Sequence, residues 1–211
     1  PNIPEVTVGD YSFSKVVKVE EDRVGLDIGF SREIPLLGED LPKLRSVWPK
    51  EGDELFITLR RDFSGQLFAR LATETIVASL YSKATRNMKN KDIEAYPYRL
   101  MRVGTFLLTK DGYKVFVHES EREKEPRLGE KVTLRVIGVK DNGEINGSFL
   151  PRAHERMDSD GQAIMDYIEN NGYCEFTDKS DPEEIKAVFG MSKGSFKRAV
   201  GRLFKNKLIM I

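Results

Sequence analysis

The chain has one cysteine, two histidines, one tryptophan and no net charge across its 211 residues. A lone cysteine excludes an intramolecular disulfide and any multi-cysteine metal site; Cys174 is expected to be a small, half-buried hydrophobe. The histidines, His118 and His154, stand in no ligand-like or triad-like spacing, which makes an enzyme the least favoured reading. No cofactor, metal or enzymatic activity is expected. A glycine-rich phosphate loop between strand and helix is also missing, since 190–194 precedes a helical pattern but follows one too. No run approaches the roughly 20 apolar residues of a membrane span, and the segment after Pro1 has no signal-peptide pattern. A cytoplasmic protein without membrane contact is therefore expected, and without coiled-coil heptads a monomer. The 34 basic and 34 acidic side chains cancel, so only their distribution can point to a partner.

An internal repeat organises the first two thirds. Pro49-Lys50-Glu51-Gly52-Asp53 launches the alternating run Glu54-Leu55-Phe56-Ile57-Thr58-Leu59. Pro126-Arg127-Leu128-Gly129-Glu130, 77 residues on, launches Lys131-Val132-Thr133-Leu134-Arg135-Val136. Each run then reaches a hairpin turn, Asp62-Phe63-Ser64-Gly65 or Asp141-Asn142-Gly143. Upstream lie further strand-like runs, at 14–19 and 23–28 in the first copy and at 98–109 and 113–118 in the second. Short strands with glycine-rich turns predict two small antiparallel barrels, over 1–72 and 97–152. Between them, Ile76, Val77, Leu80, Tyr81 and Ala84 recur at helical spacing and predict a helical linker over 73–96, with the helix at 74–88.

Alternation separates the inside of the second barrel from its outside. Val115 and Val117 share one face and Phe116 and His118 the other. Val132, Leu134 and Val136 point inward, leaving Arg135 outward, and Phe106 in the neighbouring run is placed to join the rings. Outward aromatics beside a cation suit single-stranded nucleic acid, because bases stack on rings while the cation meets the backbone. The pattern leaves open that Phe106 and Phe116 are core and only His118 is exposed.

Val103-Gly104-Thr105-Phe106, then Phe116-Val117-His118-Glu119-Ser120-Glu121, then Gly129-Glu130 and its alternating strand resemble an S1 domain of the OB-fold group. That resemblance carries the family's RNA-facing aromatic and histidine onto Phe106 and His118, with Phe116 beside them. Three departures stand out: Val103 where another Phe is common, Glu144 where a basic residue is common, and Gly147 in place of a usual Leu. A carboxylate near the phosphate path predicts modest affinity for this barrel alone. The first copy departs further, with Gly25 at the expected ring position and Glu33-Ile34-Pro35-Leu36-Leu37 in place of the ring-and-imidazole string. It carries 10 basic against 13 acidic side chains and is expected to be mainly architectural, with Phe56 and Arg60 as its plausible contacts and Trp48 as a barrel plug.

In the last third, the pattern predicts a helix over 160–171, a short strand at 173–176, and a helix opened by Asp181-Pro182-Glu183-Glu184 and closed by Gly190. A third helix follows, capped by Ser192, and a strand at 208–211 ends the chain. This is the order of a winged helix over 153–211, whose third helix would be the recognition helix. Residues 193–207 hold Lys193, Lys197, Arg198, Arg202, Lys205 and Lys207 with no acid. That basic face suits phosphate; a solvated face on a protein-docking winged helix is the open alternative.

The order of parts, with the strings Asn87-Met88-Lys89-Asn90, Tyr98-Arg99-Leu100, Ser120-Glu121-Arg122, Glu125-Pro126-Arg127-Leu128-Gly129 and Gly190-Met191-Ser192-Lys193-Gly194-Ser195-Phe196-Lys197, resembles the conserved virulence factor B family over essentially the whole chain. The resemblance implies a mainly β plus α+β chain: two S1-type OB-fold five-stranded barrels, a helical linker and a C-terminal winged helix. It also implies RNA binding and an effect on virulence gene expression. The family's further N-terminal S1-like unit is not recognised here, so a truncated chain is expected. The RNA-binding set expected is Phe106, Phe116, His118, Arg135, Lys193, Lys197, Arg198 and Arg202. Two rivals stay open: a regulator led by the winged helix on duplex DNA, and an adaptor that docks on ribosome or polymerase.

Overall fold

The computed structural model describes residues 7–29, 32–151, 153–205 and 208–210, with 153–158 by backbone alone. It divides into two compact units, Pro1–Leu150 and Pro151–Ile211.

The first unit holds two closed barrels of identical topology. β1 (Ser12–Val19), β2 (Arg23–Asp27), β3 (Ile34–Leu37), β4 (Glu54–Arg61) and β5 (Leu67–Leu71) close in the order β1-β2-β3-β5-β4. β6 (Asp92–Met101), β7 (Gly104–Leu108), β8 (Lys114–His118), β9 (Val132–Val139) and β10 (Ile145–Ser148) repeat that order as β6-β7-β8-β10-β9. In each, the third and fifth strands pair in parallel and the first and fourth close the ring in antiparallel fashion. Alternation fills the two interiors as the sequence predicts. Leu55, Ile57 and Leu59 point into the first core, and Val115, Val117, Leu134 and Val136 into the second.

The repeated turns are the same device used twice. The acid that ends each accepts a hydrogen bond from the amide three residues back: Lys50 N donates to Asp53 (2.8 Å) and Arg127 N to Glu130 (2.8 Å). The two turns also meet each other. Arg127 forms a two-pronged ion pair with Asp53 at 3.1 and 3.0 Å, and Gly129 O accepts from Glu54 N at 2.8 Å. Gly129 adopts φ +76°, and a Cβ there would lie 2.6 Å from Leu55, so only glycine allows this approach. Leu128 beside it is 2% exposed and buried among the first barrel's core residues. On the outer faces, Tyr11, Phe13 and Phe56 of the first barrel pack with Ala72, Val77, Tyr98 and Leu108.

The segment between the barrels departs from the expected helix. α1 spans only Glu74–Leu80, capped by Thr73, and Leu80 is 55% exposed. From Tyr81 the backbone turns extended: Ser82 N bonds to Gly112 O (2.8 Å) and Ala84 N to Gly143 O (3.0 Å). The chain is thus strapped across two hairpin turns of the second barrel, a tertiary pairing that wins over local helix propensity. β6 begins at Asp92, so residues 92–96, expected as linker, are strand; the run 98–109 is split by a hairpin into β6 and β7.

In the second unit α2 (Ala153–Asn171), α3 (Pro182–Phe189) and α4 (Lys193–Lys205) pack around Ile164, Ile185, Met191, Phe196, Ala199 and Leu203. Asp181 caps α3 by accepting from Glu183 N (2.8 Å), Pro182 stands in its first turn, and Gly190 ends it at φ 67°. Ser192 accepts from Ser195 N at the start of α4. The strand expected at 173–176 is irregular chain: Phe176 packs edge-on against Tyr167 and Phe189, and Cys174 is half-buried on the same core. Residues 208–210 form no strand, while Lys207, Ile211 and the side chain of His154 lie outside the described residues.

Candidate nucleic-acid interface

β7 and β8 pair so that Phe106 faces Phe116 and Gly104 faces His118. Three rings therefore line up on the outer surface. Phe106 and Phe116 are 4.8 Å apart, and Phe116 and His118 are 6.3 Å apart, edge to face. Glycine at 104 makes the row possible, because a Cβ there would lie 2.7 Å from the Phe116 ring and 2.4 Å from Val117 O. His118 is exposed, and its Nδ1 accepts from Ser120 N (3.2 Å), which leaves Nε2 to donate.

The rings are not equally available. Phe116 and Phe106 are both half-buried, and Phe106 is part of the cluster that joins the barrels, with Tyr98 at 6.3 Å. Arg99, the cross-strand partner of Phe106, holds its guanidinium 5.9 Å from the ring centroid, a cation–π contact that no sequence pattern announced.

On the same face of β8, at the end away from His118, lies a charge cluster. Lys114 Nζ, nearly buried, sits 2.5 Å from Glu74 and 2.8 Å from Glu144, and Tyr98 donates to Glu74 at 2.7 Å. Burial by itself depresses the Lys114 ammonium, but its bonds to Glu144 and Glu74 outweigh burial and lift its pKa above the ordinary lysine value. Burial and the Glu74 carboxylate push the Tyr98 phenol well above its usual range. For Glu144 burial acts upward, yet the bonds from Lys114 and Lys140 prevail and hold it down at about 2. The carboxylate expected to repel phosphate is thus neutralised by two ammonium groups. Gly147 is explained as well. A Cβ there would lie 2.6 Å from Leu134 and 3.2 Å from both Val115 and Val117, so the core already fills the space a Leu would need.

Arg135 is half-buried and pairs with Ser148 on β10, while the preceding Gly147 pairs with Val117 on β8. That register sets Arg135 two strand spacings from the His118 row, on the order of 10 Å.

The first barrel has no such row. Gly25 lies under the Glu33 carboxylate, 2.9 Å from where its Cβ would be. Phe56, expected as a contact, stacks instead on Phe13 (5.1 Å) and Tyr11 (5.9 Å) between the barrels, whereas Arg60 is exposed. Trp48 packs half-buried on the first core, its Nε1 donating to Pro42 O.

On α4, Lys197, Arg198 and Arg202 are exposed, and Lys197 reaches Asp178 only at 3.8 Å. Lys193 departs from the expected set: it is half-buried and donates to Ser180 O at 2.8 Å, which ties the helix start to the preceding loop. Among the described residues there is no group of three or more His, Cys, Asp or Glu placed to hold a metal, and no helix long and apolar enough to cross a membrane.

Family models agree with this division. Residues 11–70 match "CvfB first S1-like domain", residues 77–151 match "Virulence regulatory factor CvfB, second domain", and residues 162–211 match "CvfB-like winged helix domain". Conserved virulence factor B of Staphylococcus saprophyticus is 57% identical over 212 residues, covering all of this chain and 71% of the relative. The Staphylococcus aureus (strain MRSA252) protein of the same name is 53% identical with the same coverage. A crystal structure of a multidomain protein with nucleic acid binding domains from Streptococcus pneumoniae is 37% identical, with a TM-score of 0.69 over 99% of this chain and 75% of that one. Two barrels of one topology, a winged helix, and matches of this extent and identity establish that the chain belongs to the conserved virulence factor B family.

Proposed function

We propose that this chain is an RNA-binding regulatory protein whose second barrel holds single-stranded RNA on Phe106, Phe116 and His118, with Arg135 taking the backbone nearby. The observation that carries the proposal is the row of three rings across β7 and β8, with Gly104 clearing space for Phe116. Stacking tolerates every base and supplies about 1–3 kcal/mol per ring. Lys197, Arg198 and Arg202 of α4 extend the contact to further phosphates, and two modest sites on one chain act as one stronger site. The name of the relatives and the regulatory factor named by the second-domain model support a regulatory role in virulence, and the nucleic acid binding domains ascribed to the pneumococcal protein support nucleic acid as the ligand.

Fluorescence anisotropy with labelled single-stranded RNA and a matched DNA duplex, each at two salt concentrations, tests this reading. The wild type should prefer RNA, and a Phe116→Ala/His118→Ala variant should lose about 1 kcal/mol or more. A preference for the duplex, or RNA binding unchanged in the variant, would overturn it.

A further inference from the structure

We infer that the first barrel also carries RNA, through the groove and hairpin at its β4–β5 edge and not through the face that its partner uses. This rests on the single-stranded RNA reading above and extends it to a second surface.

The groove has a volume of about 850 Å³ and is lined by Thr58, Arg60, Arg61, Phe68 and Arg70 from the first barrel and by Tyr98 and Arg99 from the second, among others. Its charges do not cancel one another. Arg70 is held by Glu39 (2.7 Å) and Asp40 (2.9 Å), and Glu74 by Lys114 and Tyr98, so every acid in the lining already has a counter-charge or donor. Arg60, Arg61 and Arg99 are exposed and form no ion pair among the described residues. The lining therefore presents three guanidiniums outside any ion pair, and its four arginines outnumber Glu39, Asp40 and Glu74 by one; the guanidinium is the group best matched to phosphodiester oxygens.

A second observation points inward. Thr58 is 1% exposed and lines the groove, yet its Oγ1 has no hydrogen-bond partner. A buried hydroxyl left unpaired is costly; its oxygen is out of reach of solvent, so a ribose or phosphate oxygen would supply the missing bond by parting the side chains that cover it.

A third gives the path a far end. Phe63, at the tip of the β4–β5 hairpin, is fully exposed. Asp62 Oδ1 accepts from Ser64 N (2.8 Å) and Gln66 N (2.9 Å), so the tip that displays the ring is braced. This is the loop between fourth and fifth strands that OB barrels commonly use on oligonucleotides. Arg60 pairs with Phe68 across the same hairpin, setting a cation beside a second, half-buried ring. At the near end Arg99 belongs both to the groove and to Phe106, so the groove joins the ring row without a break. A strand stacked on Phe116 and Phe106 would pass Arg99, enter between Arg60, Arg61 and Thr58, and leave at Phe63.

The test compares oligouridylates of about 4 and about 12 nucleotides, the span that OB barrels cover, on the whole chain. Arg60→Gln/Arg61→Gln, with both side chains exposed, should bind the short oligonucleotide like wild type. It should lose on the order of ten-fold or more on the long one at 0.1 M salt, and its salt slope should fall by about 1.4, near 0.7 per phosphate. Phe63→Ala should show a smaller loss on the long oligonucleotide only. If both variants bind the long oligonucleotide like wild type, or if their loss is confined to duplex DNA, the groove proposal is wrong. In that case a retained effect of Phe116→Ala keeps the ring row as the RNA site. If Phe116→Ala leaves both oligonucleotides unaffected, the ring-row reading fails and this one with it.

Discussion

Leu128→Ala should destabilise the barrel to which Leu128 does not belong in sequence. Leu128 sits in the turn before β9, within the second barrel's stretch of chain, but its side chain is 2% exposed inside the first barrel's core. Its amide donates to Val47 O at 3.0 Å, one residue from Trp48. Truncating a fully buried leucine typically costs about 3–5 kcal/mol, the lost transfer energy plus the cavity left behind. With a urea slope of about 2 kcal/mol/M for a small protein, the midpoint should fall by roughly 1.5–2.5 M. The chain's single tryptophan places the probe: Trp48 packs on the first core, so its fluorescence reports on that core directly. The expected result is a large drop in the Trp48 midpoint at unchanged slope. A shift below roughly 0.3 M, less than 1 kcal/mol at that slope, would show that Leu128 does not plug the first core and that the barrels are merely adjacent.

Gly104→Val should remove RNA binding about as fully as Phe116→Ala, since the new side chain occupies the position of the Phe116 ring, and overpacking should cost a further 1–3 kcal/mol or so in stability; thermal melts and anisotropy on the same samples check both. Glu144, whose carboxyl is held down at about 2 in the folded state, contributes stability that is complete above the unfolded carboxylate value and is lost as pH falls toward about 2; Glu144→Gln should flatten that part of the acid-unfolding curve, and an unchanged curve would refute the Lys114–Glu144 assignment. Neutralising Lys197 and Arg198 should lower the salt slope of RNA binding by about 0.7 per lost phosphate contact without changing the melting temperature; an unchanged slope would turn α4 into a solvated or protein-docking face.

Elements that depend on local chemistry were legible in the sequence. The Pro-basic-x-Gly-acid turns, the alternation of β4, β8 and β9, and the caps at Asp181, Gly190 and Ser192 all follow from residues within a few positions of one another. What escaped depends on contacts between distant parts. The stripe through Ile76, Leu80 and Ala84 has helical spacing, but from Tyr81 the backbone finds partners on Gly112 and Gly143 and leaves the helix. The pattern offered Phe56 and Phe106 as outer rings and left open that Phe106 is core, and it carries no sign that one barrel's outside is buried on the other's. Lys193 belongs to a basic run, and only the fold shows it bound to Ser180 O. Arg99 stood only in a string that carries the family resemblance, with no sign of a contact; its proximity to Phe106 comes from the β6–β7 register.

The two barrels share one topology but have divided their surfaces, and the division follows from how they are joined. The outer faces meet in one cluster that takes in the half-buried rings of Phe56 and Phe106, with Phe13 5.2 Å from Tyr96 across the junction, so neither barrel keeps its full outer surface for a ligand. The second barrel retains its ring row because that row runs away from the junction along β8 to His118, beyond the contact. In the first barrel the equivalent position is Gly25 under Glu33, so a base has no ring there on which to stack. Two of its exposed cations instead lie beside the junction, on β4, where Arg60 and Arg61 adjoin Arg99 of the second barrel. A duplicated module that had merely decayed would lose charge and aromatic character everywhere. Here Arg60, Arg61 and the exposed Phe63 stand at the edge that shares its groove with Arg99 of the second barrel, as expected if the pair binds one strand as a single surface.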